Sequence, residues 1–303
     1  MSPRPYFAAT YSGLGQLGFW LVDPDPHPYA PDLHRARVHS DPDAAIYLLG
    51  DRSVKLSGEI EVEYLYATYF DVDAYLIDDV RLVALPVELE PDGELRVLTR
   101  EQISAAGDTG FAMWSANAEG LNADIWRQVV DREPPGSLID ELNAGALARQ
   151  RPHAPRVVWI EGDAPQGKRY ARAAVIPTEL DSVAGLPVRG IVTTEANTAD
   201  CDSDSEAHYL CAILNSDYVH KFGETYPWTW GHAERGPTEV VPIPRFDPGD
   251  DRHVQLAELS RALHLRAAQL DLGDFRYDWQ YRSTLGSDSD TADAHVRDVM
   301  ERA

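Results

Sequence analysis

The chain has 303 residues, 44% of them hydrophobic, and a formal net charge of -23 from 50 acidic and 27 basic residues. That length suits one large or two modest domains around a buried core, and no apolar run approaches the ~18 residues of a bilayer-spanning helix. Its two cysteines, Cys201 and Cys211, rule out a disulfide framework and lack the spacing of a zinc site.

Lys55, Lys168 and Lys221 are its lysines, and the other 24 of its 27 basic residues are arginine. Abundant carboxylates with almost no lysine suit a protein kept soluble in concentrated salt, where self-repulsion is screened within a few ångströms. A halophilic source is therefore expected ahead of a mesophilic source with a high-GC genome, which explains the arginine bias but not the acids. The acidic total does not exclude a nucleic-acid partner, because binding depends on local patches. The N-terminus, MSPRPYFAATYSG, lacks the charged-then-apolar layout of a signal peptide, so a cytoplasmic location is expected.

In chain order, the first part, to about residue 130, carries short β-like runs between Gly, Pro and Asp clusters. PYFAATYSG, GFWLVDP, AIYLLG and VRLVALPVEL are the clearest, while EIEVEYLYATYFDVDAYL reads either as strand or as strand followed by short helix. Gly13, Gly15 and Gly18 spell GxGxxG, but the proline-rich FWLVDPDPHPYAP follows where a dinucleotide site needs a helix. A glycine-rich turn is the better reading. Thr99 and Gln102 form a capping box at the head of a helix.

Residues 133–156 hold one short helix among Pro and Gly breakers and then a basic connector, which sets an internal boundary at 148/149. RVVWIEG, ARAAVIPTEL and VRGIVTTEA follow as strands. Ser203 and Glu206 form a second capping box, and Ala207, Leu210, Cys211, Leu214, Tyr218 and Phe222 recur at helical spacing up to Gly223. TEVVPIPRF reads as a strand that Pro242 and Pro244 confine to a sheet edge. Leu256, Leu259, Leu263, Ala267 and Leu270 mark another helix, and the polar end reads as a loose tail with one terminal helix. The expected fold is α/β (α+β): mixed sheets with packed helices, in subdomains 1–148 and 149–272 and a tail over 273–303.

No phosphate loop, HExxH or GxSxG motif is present, and no histidine stands at ligand spacing from another credible ligand. No catalytic, cofactor or metal residue is therefore assigned. Two basic features stand out. Arg149, Arg151, Arg156, Lys168, Arg169 and Arg172 face only Glu161 and Asp163 over 149–172, a local net of +4 suited to phosphates. Lys221, Trp228, Trp230, His232 and Arg235 interleave aromatic and basic groups, which suits stacking and groove contacts. Arginines paired with acids and tryptophans buried as core anchors are the competing readings.

EAHYLCAILNSDYVHKF, a helix ending in LNS, then a variable loop, then TEVVPIPRF, closing in PIP, and then VQLAELSRALHLRAAQL follow in an order that resembles one family. It is similar to the C-terminal target-recognition (specificity) region of gamma-class adenine-specific DNA methyltransferases and to the specificity subunits of type I restriction systems. The strands before the hallmark helix match as well, as does VKLSGEIEVEYLYATYFDVDAYLIDDVRLVALPVE upstream, so the resemblance spans roughly residues 50 to 270. It implies a target-recognition-domain-like fold that reads double-stranded DNA in a restriction-modification or phage-defence system. The family's catalytic [ND]PP[YFW] tetrapeptide is missing: the one PP lies in Glu133-Pro134-Pro135-Gly136. S-adenosylmethionine is then expected only on a separate methyltransferase catalytic chain, since base chemistry needs a methyl donor and a pocket for the extruded base. A split half of such an enzyme and an interaction module that has lost DNA binding remain as alternatives.

Overall fold

The structure is a computed structural model that describes residues 9–11, 21–30, 34–40, 56–91, 93–105, 109–125, 127, 139, 147, 150–164, 168–178, 185–186, 188–192, 196–225, 241–270 and 284–302. Its strands are β1 (Ala9–Tyr11), β2 (Leu21–Ala30), β3 (Arg35–Ser40), β4 (Ser57–Glu61), β5 (Leu65–Asp73), β6 (Leu76–Ala84), β7 (Val87–Leu89), β8 (Leu95–Val97), β9 (Arg156–Ala164), β10 (Lys168–Ile176), β11 (Arg189–Ile191) and β12 (Ala196–Asp200). Its α-helices are α1 (Arg100–Ala105), α2 (Gly110–Ile125), α3 (Asp204–Leu214), α4 (Asp217–Thr225), α5 (Asp251–Ala267) and α6 (Ser287–Glu301). The fold is mixed α/β, as expected.

The larger sheet has the order β11-β5-β6-β2-β3-β4, and the smaller has β1-β12-β9-β10. Pairing is antiparallel except between β11 and β5, which run parallel. Strand pairing crosses the 148/149 position in both directions: β11 joins the strands before it, and β1 joins those after it.

EIEVEYLYATYFDVDAYL becomes β4, a 3-10 turn over Val62–Tyr64, β5 and a two-residue turn into β6, with no α-helix. Tyr66, Ala67, Thr68 and Tyr69 are all buried, so β5 is covered on both faces and its burial has neither helical nor strict two-residue periodicity. The hairpin turn is Ala74-Tyr75, and Tyr75 takes a φ of 64° there although its side chain is buried.

The two faces of the β9–β10 pair alternate as pleating requires. Val157, Trp159, Ala171 and Ala173 join a cluster with α3, α5 and α6, while Val158, Ala174 and Ile176 pack with Tyr69 and Val72 of β5. The smaller sheet therefore lies between a helical layer and the larger sheet. A separate cluster joins β3, β4 and β5 to Phe111, Trp114 and Ala118 of α2.

The expected capping box forms at Thr99, and the expected N-cap bond forms at Ser203. The Thr99 N–H donates to Gln102 Oε1 at 2.8 Å and the Gln102 N–H to Thr99 Oγ1 at 3.3 Å. Ser203 Oγ accepts from the Glu206 N–H at 3.1 Å, and Glu206 Oε2 accepts from the Asp202 N–H at 2.7 Å. Other expectations are corrected. The helix expected to run on to Gly223 breaks at Asn215-Ser216, dividing into α3 and α4. Of TEVVPIPRF, positions 238–240 lie outside the described residues, and Val241–Arg245 is not in a strand ladder, since Pro242 and Pro244 have no N–H to donate, although Val241 and Ile243 are buried. The expected terminal helix is present as α6, but it is packed and not loose, burying Ala292, Val296 and Val299 beside Leu285. AIYLLG, at 45–50, lies outside the described residues.

Candidate nucleic-acid interface

The LNS motif forms the joint on which the site is built. β10 is an edge strand, and its outward backbone groups at Ala173 need partners. Asn215, at the C-terminus of α3, supplies them with its side-chain amide. Oδ1 accepts from the Ala173 N–H at 3.0 Å and Nδ2 donates to the Ala173 carbonyl at 2.8 Å, much as a neighbouring strand residue would. The Tyr75 N–H donates to the same carbonyl at 2.8 Å. Turning Asn215 toward the sheet ends α3, and Ser216 Oγ then accepts from the Val219 N–H at 3.3 Å to start α4. Asp293 of α6 adds a second cap, accepting from the Asp217 N–H at 2.9 Å.

One step along the edge, His264 of α5 performs the same service. Its Nδ1 lies 2.8 Å from the Ser260 carbonyl, which can only accept, so Nδ1 carries the proton. Its Nε2 therefore accepts, taking the Val175 N–H at 3.1 Å. Burial depresses the His264 pKa, and burial followed by the neighbouring His264 depresses that of His208, whose ring lies 4.8 Å away. Burial also pushes the Cys211 thiol up, and its Sγ donates to the Ala173 carbonyl at 3.3 Å. The cysteine is an inert core group.

These contacts fix the described residues that precede position 226 and follow position 240. On one side α4, joined to α3 at the LNS joint, packs against β10. On the other, Val241 and Ile243 enter the cluster that contains α3, and Tyr209 Oη donates to the Pro244 carbonyl at 3.0 Å. Trp228, Trp230 and Arg235 fall within that segment and, like Arg149, lie outside the described residues. Lys221 is exposed on α4. Lys168 and Arg169 stand on β10 opposite Ala164 and Asp163 of β9.

The other three predicted arginines have structural partners. Arg156 is 1% exposed; its Nη1 donates to Gln150 Oε1 at 3.1 Å and its Nη2 to the Gly190 carbonyl at 2.8 Å. Gln150 in turn bonds both the Val192 carbonyl and the Val192 N–H, at 2.6 and 2.9 Å. Arg156 therefore ties β9 to the outer edge of β11, and its expected phosphate contact is withdrawn. Arg172 is ion-paired with Asp73 at 3.3 Å, where both side chains are largely covered, so it too is unsuited to phosphate. Arg151 is exposed but pairs with Glu94 at 3.3 Å, a surface bridge of the kind that exchanges readily for another anion.

Sequence reading placed Asn215 inside the LNS hallmark without a role, and it passed over Gln150 and His264. The usable signal for Asn215 was a polar amide closing an otherwise apolar helix, the mark of a side chain with a backbone to bind. Among the described residues, no cluster of three or more His, Cys, Asp or Glu side chains is arranged to hold a metal ion, and no helix is long and apolar enough to cross a membrane. No protein-family model and no curated protein matches the chain.

Proposed function

We propose that this chain is the sequence-reading component of a DNA-modification or phage-defence system, a cytoplasmic protein that binds double-stranded DNA and works with a separate methyltransferase chain. The observation that carries the reading is the packing of α4 against β10. Parts of the two segments singled out independently for basic and aromatic residues, β10 in one and α4 in the other, are thereby neighbours. Lys168, Arg169 and Lys221 belong to these neighbouring elements, and in sequence Trp228, Trp230 and Arg235 fall between α4 and the buried residues Val241 and Ile243. A reader of base edges needs this: phosphate contacts fix register, and side chains on a held segment then meet bases in one register.

The roles divide accordingly. Lys168 and Arg169 neutralise phosphates, whereas Arg235 contacts guanine. Fluorescence anisotropy of labelled duplexes with the full chain, across a potassium chloride series, tests the division. Arg235→Ala is expected to narrow the gap between target and random duplex about tenfold, consistent with loss of one bidentate contact. Lys168→Ala with Arg169→Ala is expected to weaken both duplexes equally and to flatten the salt slope by about 2. Equal losses on every duplex from both variants would refute the division.

An interaction module without DNA binding is the second reading. The structural partners of Arg156 and Arg172 favour it, since they remove two of the cations that marked the basic segment. Absence of binding to any duplex at every salt concentration supports that alternative.

A further inference from the structure

The two strands of the β9–β10 hairpin are longer than the sheet that holds them. β9 and β10 pair over nine rungs, from Arg156↔Ile176 to Ala164↔Lys168, but β12 covers β9 only from Arg156 to Trp159. Ile160 and Ala171 still pack into the cores on either side. Beyond them stand three more rungs, Tyr170↔Gly162, Arg169↔Asp163 and Lys168↔Ala164, and no described strand flanks them. At ~3.3 Å per residue, three rungs reach about 10 Å.

We propose that this outer β9–β10 ribbon enters the major groove of duplex DNA and reads base edges there. The proposal rests on the DNA reading above and assigns the ribbon a role beyond phosphate contact. A two-stranded ribbon is one of the two elements the major groove admits, and its depth of about 8.5 Å matches the ribbon's reach. Lys168 and Arg169 sit on the outermost described rungs, where a groove-inserted tip is surrounded by phosphates. The rival occupant of such a ribbon is a second copy of this chain, paired edge to edge. Antiparallel β10–β10 pairing confined to the three outer residues, 168–170, centres on Arg169 and sets the two Arg169 positions directly opposite, where like charges oppose it.

The test shortens the ribbon without shifting its register. Deleting Gly162 and Asp163 with their partners Tyr170 and Arg169 removes two rungs, keeps the alternation of faces and leaves the Ala164↔Lys168 rung. Methylation interference on a duplex selected by the full chain then reports both grooves: guanine N7 lies in the major groove and adenine N3 in the minor. The parent is expected to be blocked by N7 methylation. The shortened chain should lose part of that N7 pattern and about tenfold in affinity for the selected duplex, with its circular dichroism spectrum unchanged.

If the shortened chain does not fold, Lys168→Ala with Arg169→Ala in the intact ribbon carries the test. It should remove ethylation interference at the phosphates beside the guanines whose N7 methylation blocks the parent, and ethylation interference unchanged at those phosphates refutes the proposal. Retention of the full pattern and affinity by the folded shortened chain, or interference at adenine N3 alone in the parent, overturns the ribbon's role and leaves the DNA reading standing. Failure of the parent to bind any duplex overturns both. A dimer in sedimentation that the shortening dissolves assigns the ribbon to self-association and also overturns the proposal.

Discussion

Asn215 and His264 do with side chains what a neighbouring strand would do with its backbone. Asn215→Ala leaves the Ala173 N–H without its Asn215 acceptor while the Ala173 carbonyl keeps Tyr75, so one buried donor loses its bond. The expected loss is ~1–3 kcal/mol of unfolding free energy, read from urea denaturation. At His264, protonation would place an Nε2–H against the Val175 N–H. The folded pKa values of His264 and His208 lie below the unfolded value of ~6.5, so below that pH the unfolded chain binds protons that the folded chain refuses. Their contribution to stability is complete above pH ~6.5 and is lost progressively as pH falls toward the folded values. His264→Gln keeps an acceptor without a titration, so its melting temperature should fall less than that of the parent between pH 7 and 5. Parallel curves would assign the acid sensitivity to other groups.

At the scale of elements, the most legible were those with a local chemical signal: the Thr99 capping box, the Ser203 N-cap and the apolar stripe that buries Leu256, Leu263 and Ala267 of α5. Elements decided by distant partners were not legible. β12, Ala196–Asp200, has little strand propensity, and its pairing with β9 and β1 decides it. The split of α3 from α4 depends on β10, 42 residues away at Ala173. The start of α2 depends likewise on Glu61, whose Oε1 and Oε2 accept from the Gly110 and Phe111 N–H groups at 2.9 Å each. Burial raises the Glu61 pKa, but those bonds and the Arg35 guanidinium outweigh it and hold the carboxyl below its ordinary range. Glu61→Ala should therefore cost ~1–2 kcal/mol, seen as a lower denaturation midpoint with an unchanged slope.

For the whole molecule, the division of arginines was the least legible feature. Arg156 and Lys168 stand twelve positions apart in one basic stretch, yet the first is buried in the joint between the sheets and the second stands on the outermost described rung of the ribbon. Charge counted along the chain cannot separate them, because burial is decided by what the fold lays over each residue. The LNS and PIP segments were legible as a pair, and both are packed on the same helical layer, Asn215 bonding β10 and Tyr209 bonding the Pro244 carbonyl. The net charge of -23 makes salt part of any measurement: at 1 M the screening length falls to ~3 Å, so repulsion from acidic groups beyond the contact weakens, as does each phosphate contact. Selection of duplexes from a random pool by the full chain, carried out in parallel at low and molar potassium chloride, tests the central claim most directly. One short motif should be enriched at both salt concentrations, and a pool that stays random at both would show that the chain does not read DNA sequence.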